Sequence, residues 1–187
     1  MSLSTNASIF EQLFYYIGGN GPFILSIFSL LLLKNKRFFF DFYLFGVIAN
    51  MFLNPWLKIL IKQPRPSIDA KTYELAMKHM KHANYFNLIS YDAVLGMPSG
   101  HSQSVFFSTA FIYFVFKNQE SNIILFYLLL SLITVVQRVY YKFHTINQII
   151  AGGVIGVSFA YSIYYLASKK QKGLLKAREE ENAALSI

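Results

Sequence analysis

Five stretches of this sequence run almost without charge for about the length of a bilayer crossing: Gln12 to Leu33, Phe38 to Leu57, Ser99 to Phe116, Ile123 to Gln137 and Ile146 to Ser168. A transmembrane helix needs about 20 predominantly apolar residues. The hydrocarbon core admits a helix because a helix satisfies its own backbone N–H and C=O groups. Asp41, near one end of its window, and His101 are the acidic or basic side chains among them. The expected fold is therefore all-α, a multi-spanning transmembrane bundle of about five helices. In the first window Gly18-Gly19-Asn20-Gly21-Pro22 breaks the pattern, so that helix is expected to begin late. Gly152, Gly153 and Gly156 in the last window allow another helix to approach closely.

Composition supports the same reading. The chain has 187 residues, 55% of them hydrophobic and 14% charged. A soluble domain of this size lacks the interior to hide so much apolar surface. The net charge of +8 is spread between apolar runs, which fits a basic membrane protein and not a nucleic-acid binder. With no cysteine, disulfides, zinc-thiolate sites and thiol nucleophiles are excluded. Met1 to Phe10 has no basic n-region, so no cleaved signal peptide is expected. Residues 1–168 read as one membrane domain and 169–187 as a polar cytoplasmic tail, helix-prone from Leu174 to Ala184.

The polar breaks set the topology. Lys34-Asn35-Lys36-Arg37 and Lys117-Asn118-Gln119-Glu120 read as tight turns. Between Lys62 and Met97, Tyr73, Ala76, Met77 and Met80 recur at helical spacing, with Lys71, Glu74, Lys78 and Lys81 elsewhere on the wheel. That pattern predicts a short amphipathic helix on the membrane surface, between spans two and three. Five spans place the Lys34 turn, the Lys117 turn and the basic tail on one side, which the positive-inside rule assigns to the cytoplasm. The N-terminus, the long interval and the junction from Arg138 to Thr145 fall on the other.

Three clusters share that second side. Lys58 lies at the end of span two, with Arg65-Pro66 just beyond it. Pro98-Ser99-Gly100-His101 opens span three, and a helix start offers backbone N–H groups to an anion. Arg138 and His144 flank the turn between spans four and five, and Gln148 follows one helical turn later. Singly, each has a plainer meaning: a cation at a helix end snorkels to the interface, a boundary histidine finds a local partner, and Pro-Ser-Gly is an ordinary turn. Together, three cations, a helix N-terminus and two histidines make a phosphate site with its reagents present.

These spacings resemble the type 2 phosphatidic acid phosphatases, the PAP2 family, whose signature is Lys-x6-Arg-Pro, Pro-Ser-Gly-His and Ser-Arg-x5-His-x3-Asp. Lys58, Arg65 and Pro66 meet the first part, Pro98 to His101 the second, and Arg138 and His144 the third. Gln137 stands where Ser is usual and Gln148 where Asp is usual. The runs Gly96 to Gln103 and Arg138 to Gln148 are most similar to the dolichyl diphosphate phosphatase branch, which has Gln at the Asp position; Gly100 replaces its usual Ser. The resemblance implies an endoplasmic reticulum enzyme with a lumenal active site that hydrolyses an isoprenoid-lipid diphosphate. It implies His144 as the nucleophile forming a phosphohistidine, with His101 protonating the leaving oxygen and then activating water. Lys58, Arg65 and Arg138 clamp the phosphate oxygens, with Ser99 and the Gly100 N–H as further donors. Three fixed cations supply the charge that magnesium supplies elsewhere, so neither metal nor cofactor is expected. Gln148 is placed to accept the His144 ring N–H and fix its tautomer, without adding charge.

Two other classes of reading remain at this point: a phosphatase of phosphatidate or another lipid phosphate, and a catalytically silent lipid-binding or transport protein. A small channel would leave the clustered cations and histidines unexplained. His79 with His82 is a poor metal site for want of further ligands. Asp92 could fold over the site in place of the missing carboxylate, and Asn6-Ala7-Ser8 is a glycosylation sequon close to the membrane. Phe38-Phe39-Phe40 and the tyrosines of the last span read as lipid-facing or packing residues.

Overall fold

A computed structural model describes residues 7–80, 91, 93–117 and 121–185. Among the described residues six helices follow in order: α1 (Ile9–Leu33), α2 (Arg37–Ile61), α3 (Ala70–Met80), α4 (Gly100–Phe116), α5 (Ser121–Tyr140) and α6 (Ile146–Leu185). Among the described residues there is no strand, only an isolated bridge between Pro64 and Leu95. Four helices, α1, α2, α5 and α6, are long and apolar enough to cross a membrane. The fifth expected span, α4, has 17 residues, a rise of roughly 25 Å. It occupies the centre of the bundle and buries most of its length, apolar residues and the hydrogen-bonded Ser102, Gln103, Ser108 and Thr109 alike. Val105, Phe107, Phe111 and Ile112 are all buried.

The α1 segment departs from the expectation of a late start. It is one continuous helix from Ile9, with Pro22 inside it, and Ser8 caps it through a reciprocal capping box with Glu11. The glycines that read as a break are contact positions. A Cβ at Gly18 would come 2.6 Å from the Gln137 side chain, and one at Gly21 would run into Thr134. A neighbouring helix thus holds in helical form a segment that local preference marks as a turn.

The glycines of α6 serve the expected purpose. A side chain at Gly152 would approach the Ser99 carbonyl to 2.5 Å, and one at Gly156 would meet the Gln103 carbonyl. Their absence lets α6 lie directly on the α4 backbone. Elsewhere the helices are tied by paired hydroxyls: Tyr43 to Ser108 at 2.7 Å, Ser29 to Tyr127 at 2.8 Å and Thr109 to Ser131 at 2.8 Å. Leu13, Phe45, Phe52, Leu132 and Val154 stand exposed on the outer wall, where a bilayer supplies their solvent.

On α3, Tyr73, Ala76, Met77 and Met80 form the less exposed face, and Lys71, Glu74 and Lys78 face outward, as the periodicity predicts. At the other end of the chain, α6 continues as a single helix of 40 residues, roughly 60 Å, about twice the hydrocarbon thickness. The boundary expected after Ser168 therefore lies inside an unbroken helix, beyond which Lys169, Lys172 and Lys176 are exposed or half-exposed. Asn6, Lys81, His82, Asp92 and the Asn118-Gln119-Glu120 part of the expected turn lie outside the described residues.

Candidate functional site

The last turns of α2 carry Asn50, Asn54 and Lys58 at four-residue spacing, all buried on one face. Lys62 then adopts a left-handed conformation, φ 53°, and ends the helix with its N–H on the Lys58 carbonyl. Pro64 prevents continuation. The chain runs on extended, held by Arg65 N–H to the Val94 carbonyl at 2.9 Å and Gly96 N–H to the Gln63 carbonyl at 2.8 Å. These two bonds fix the Arg65 segment beside the strand-like approach to Pro98-Ser99-Gly100-His101. The first two clusters are thereby joined through backbone alone.

The third cluster is joined in the same way. Ser99 donates its N–H to the Gln148 carbonyl at 3.0 Å, and the Ser102 hydroxyl donates to the Ile149 carbonyl at 2.7 Å. The start of α4 thus lies against the start of α6. Between α5 and α6 the turn closes on the Arg138 carbonyl, which accepts from Phe143 at 3.0 Å and from His144 at 3.2 Å. Arg138 lies over the Phe143 ring at 4.2 Å, a contact that keeps its guanidinium from sweeping freely.

Lys58, Arg65, Gly100, His101, Arg138 and His144 converge on the wall of one cavity of about 440 Å³. Lys58 and His144 are each only 2% exposed. Two of the expected site residues stand behind that wall. Ser99 is fully buried, and its hydroxyl caps α4 by accepting the Ser102 N–H at 3.4 Å. Gln148, 1% exposed, packs behind His144. Its amide makes four hydrogen bonds. The Nε2 donates to the Pro64 carbonyl at 2.9 Å and to the Gln63 Oε1 at 3.2 Å. A carbonyl can only accept, so the amide nitrogen must point that way, which turns Oε1 toward the Thr145 N–H and the His144 Nδ1, both at 3.2 Å. The His144 proton therefore sits on Nδ1, and Nε2 keeps its lone pair.

Burial pushes the His144 imidazole down to about 3, assisted by the positive charges of Arg65, Lys58 and Arg138 and opposed in part by the Gln148 bond. The ring is thus a neutral imidazole with Nε2 free as a base, in a cavity lined by Lys58, Arg65 and Arg138. His101 is held differently: its Nε2 bonds the Gly19 carbonyl of α1 at 3.1 Å, one turn from Pro22. Such a cavity can bind a tetrahedral polyanion and present two imidazoles to it, one kept neutral.

Several contributing groups lie outside the three clusters. Asn54 donates to Gln103 Oε1 at 2.9 Å and to the Pro98 carbonyl at 3.3 Å, while Gln103 donates to Asn50 at 2.8 Å and Asn50 to Ser104 at 3.2 Å. This network links α2 to α4 beneath the cavity. The four-residue spacing of Asn50, Asn54 and Lys58 in an otherwise apolar helix is the signal that could have found it. Gln63 and the α1 wall, Gly19 and Asn20, carry no comparable signal. Gln137 is buried, donates to the Tyr15 carbonyl at 3.3 Å and fills the space beside Gly18, so it fastens α1 to α5.

The PAP2 superfamily model matches residues 42–172, a range that contains all three clusters and omits α1. The chain is also similar to palmitoyl-protein thioesterase-dolichyl pyrophosphate phosphatase fusion 1 of Schizosaccharomyces pombe. The two are 28% identical over 182 residues, which cover 87% of this chain and 26% of that protein. The chain thus spans about a quarter of the length of this relative.

Proposed function

This chain belongs to the PAP2 superfamily, and we propose that it removes the terminal phosphate from an isoprenoid-lipid diphosphate, converting dolichyl diphosphate to dolichyl phosphate. The observation that carries this reading is the His144 ring, fixed by Gln148 with its Nε2 lone pair available in a cavity walled by Lys58, Arg65 and Arg138. The relative's name, which includes dolichyl pyrophosphate phosphatase, supports the diphosphate as substrate.

Lys58, Arg65, Arg138 and the Gly100 N–H bind the oxygens of the terminal phosphate and spread the charge that builds on them. The Nε2 of His144 attacks phosphorus in line as the bridging P–O bond breaks, and that electron pair leaves with the lipid monophosphate. A proton from His101 completes the leaving oxygen. Water, deprotonated by the now-neutral His101, then attacks the phosphohistidine. The N–P bond breaks, its electron pair returns to Nε2, and inorganic phosphate departs. Throughout, Nδ1–H remains on Gln148, which orients the ring without neutralising its charge. A diphosphate, whose leaving group is a stabilised phosphate, asks less of that orienting residue than an alkoxide does. Three protein cations meet the need for charge stabilisation, so turnover needs no metal. The positive-inside reading places the cavity on the non-cytoplasmic face, which in an endoplasmic reticulum membrane is lumenal.

The test is phosphate release by the purified protein in detergent from polyprenyl diphosphate and from phosphatidate, with excess EDTA. Release from the diphosphate is expected to exceed that from phosphatidate and to persist in EDTA. His144→Ala is expected to abolish it, by about three orders of magnitude or more. Turnover retained by His144→Ala removes the nucleophile assignment, and failure of the wild type on both lipids leaves a silent lipid-binding protein.

A further inference from the structure

We infer that Ser104 and Asn50, at the inner end of the cation cavity, bind the second phosphate of the substrate, the one that stays on the lipid, and so select a lipid diphosphate over a lipid monophosphate. The inference rests on the lipid-phosphatase reading above. Its ground is the direction of one chain of hydrogen bonds. The Asn54 amide donates to the Pro98 carbonyl at 3.3 Å. A carbonyl accepts and cannot donate, so the Asn54 nitrogen faces that way, and it also donates to Gln103 Oε1 at 2.9 Å. That turns the Gln103 nitrogen to Asn50 Oδ1 at 2.8 Å, and the Asn50 nitrogen in turn to the Ser104 oxygen at 3.2 Å. Each link fixes the next.

The Ser104 hydroxyl is therefore an acceptor toward Asn50 and must point its own proton elsewhere. Among the described residues no acceptor meets that proton, nor the second N–H of Asn50. Asn50 is buried, Ser104 is half-buried, and both line the cavity. A buried donor without an acceptor is costly, and an anionic oxygen in the cavity removes that cost.

Position identifies the anion. Ser104 stands one turn after His101 on the same face of α4, roughly 4.5 Å further into the bundle. Asn50 stands about two turns, roughly 12 Å, before Lys58 on the buried face of α2. The wall thus has two tiers: cations toward the helix ends, a hydroxyl and an amide further in. In the proposed reaction His101 protonates the oxygen that leaves with the lipid, and that oxygen belongs to the inner phosphate. The inner phosphate then lies beside His101, on the side where Ser104 stands. It carries less charge than the terminal phosphate, and neutral donors match it without a further cation. A monophosphate lipid, drawn by its charge to Lys58, Arg65 and Arg138, has carbon where the inner phosphate would be and leaves both donors unmatched.

The test is binding in detergent of two non-hydrolysable ligands of equal chain length, polyprenyl methylenediphosphonate and polyprenyl phosphonate. Ser104→Ala is expected to weaken the diphosphonate about tenfold and to leave the monophosphonate within about twofold of wild type. Ser104→Thr, which keeps the hydroxyl, is expected to restore the diphosphonate. Asn50→Asp keeps the shape but cannot donate; it accepts the Ser104 proton instead and sets negative charge at the inner tier. Its loss on the diphosphonate is expected to equal or exceed that of Ser104→Ala, and kcat/KM for polyprenyl diphosphate is expected to follow the diphosphonate affinities. Should Asn50→Asp misfold, the two Ser104 variants decide. Unchanged diphosphonate affinity in Ser104→Ala overturns the proposal. So does an equal loss on both ligands, or a loss that Ser104→Thr does not recover at an unchanged unfolding midpoint. Wild-type protein that binds the diphosphonate yet releases no phosphate from polyprenyl diphosphate refutes the phosphatase reading instead, and the inner tier is then judged on binding alone.

Discussion

The two sides of the bundle are built to opposite specifications. On the α4–α6 side, Gly152 and Gly156 bring the helices into backbone contact, and Ser99, Ser102 and Gln148 bond across the seam. On the α1–α2 side the helices leave a cleft, bridged from below by α4 and lined near the site by Asn50 and Ser104. The close side holds the His144 turn and the start of α4, both on the cavity wall. The open side offers room. Chemistry on phosphorus demands positions fixed within fractions of an ångström, whereas a lipid chain demands access and tolerates looseness. On the proposed reading the bundle meets both needs, with α4 and α6 in backbone contact at Gly152 and Gly156 and a cleft left between α1 and α2.

The contrast can be attacked experimentally. The largest effect is expected from Lys58→Met, which removes a cation from the cavity and should lower kcat by about two to three orders of magnitude. The unfolding midpoint in detergent, measured alongside, separates a loss of turnover from a loss of fold. Next, Gly156→Leu should drive a side chain into the Gln103 carbonyl and cost about 1–3 kcal/mol of stability, read as a lowered unfolding midpoint. Ser26→Phe on the open side should leave the midpoint almost unmoved. The reverse ranking would break the comparison.

Gln148→Glu tests the orienting amide. A carboxylate cannot donate to the Pro64 carbonyl or to Gln63, and it places negative charge beside His144. His144 stays neutral down to about pH 3 in the native site, so this residue sets no acid limb near neutrality. A neighbouring carboxylate raises that value. Below the raised value the ring is protonated and has no lone pair, so kcat/KM should fall as pH falls, with a loss of about tenfold growing toward acid. A profile identical to wild type would show that the amide does not hold the ring. The smallest effect is expected from Ser8→Ala, which removes the α1 cap and costs about 1 kcal/mol of stability with no change in turnover.

Much of this was legible in the linear pattern. The spans, the surface helix and the three clusters follow from periodicity and spacing, because a bilayer forces long apolar helices and a phosphate calls for cations and helix ends. The glycines of α1 were misleading for a definite reason. Gly18 and Gly21 look like a turn when only neighbours in sequence are considered, yet their missing side chains accommodate Gln137 and Thr134, more than 100 residues away. Asn50 and Asn54 could have been singled out as polar groups on an apolar helix. Gln63 could not, since its role depends on which residue the folded chain brings opposite it.

Sequence alone determined the long apolar helices of a membrane bundle and the three polar clusters that make up the candidate site, because hydrophobicity, charge and spacing are properties of the chain itself. Tertiary structure decided which atoms face one another. It set the direction of the Gln148 amide and with it the protonated nitrogen of His144. It also placed Ser99 behind the wall as a cap and set an apolar groove beside the cation cavity, with Pro22, Phe23, Asn50, Met51 and Ser104 common to both. Those outcomes depend on packing between helices far apart in the chain, where a carbonyl or a missing side chain on one element fixes what another can do.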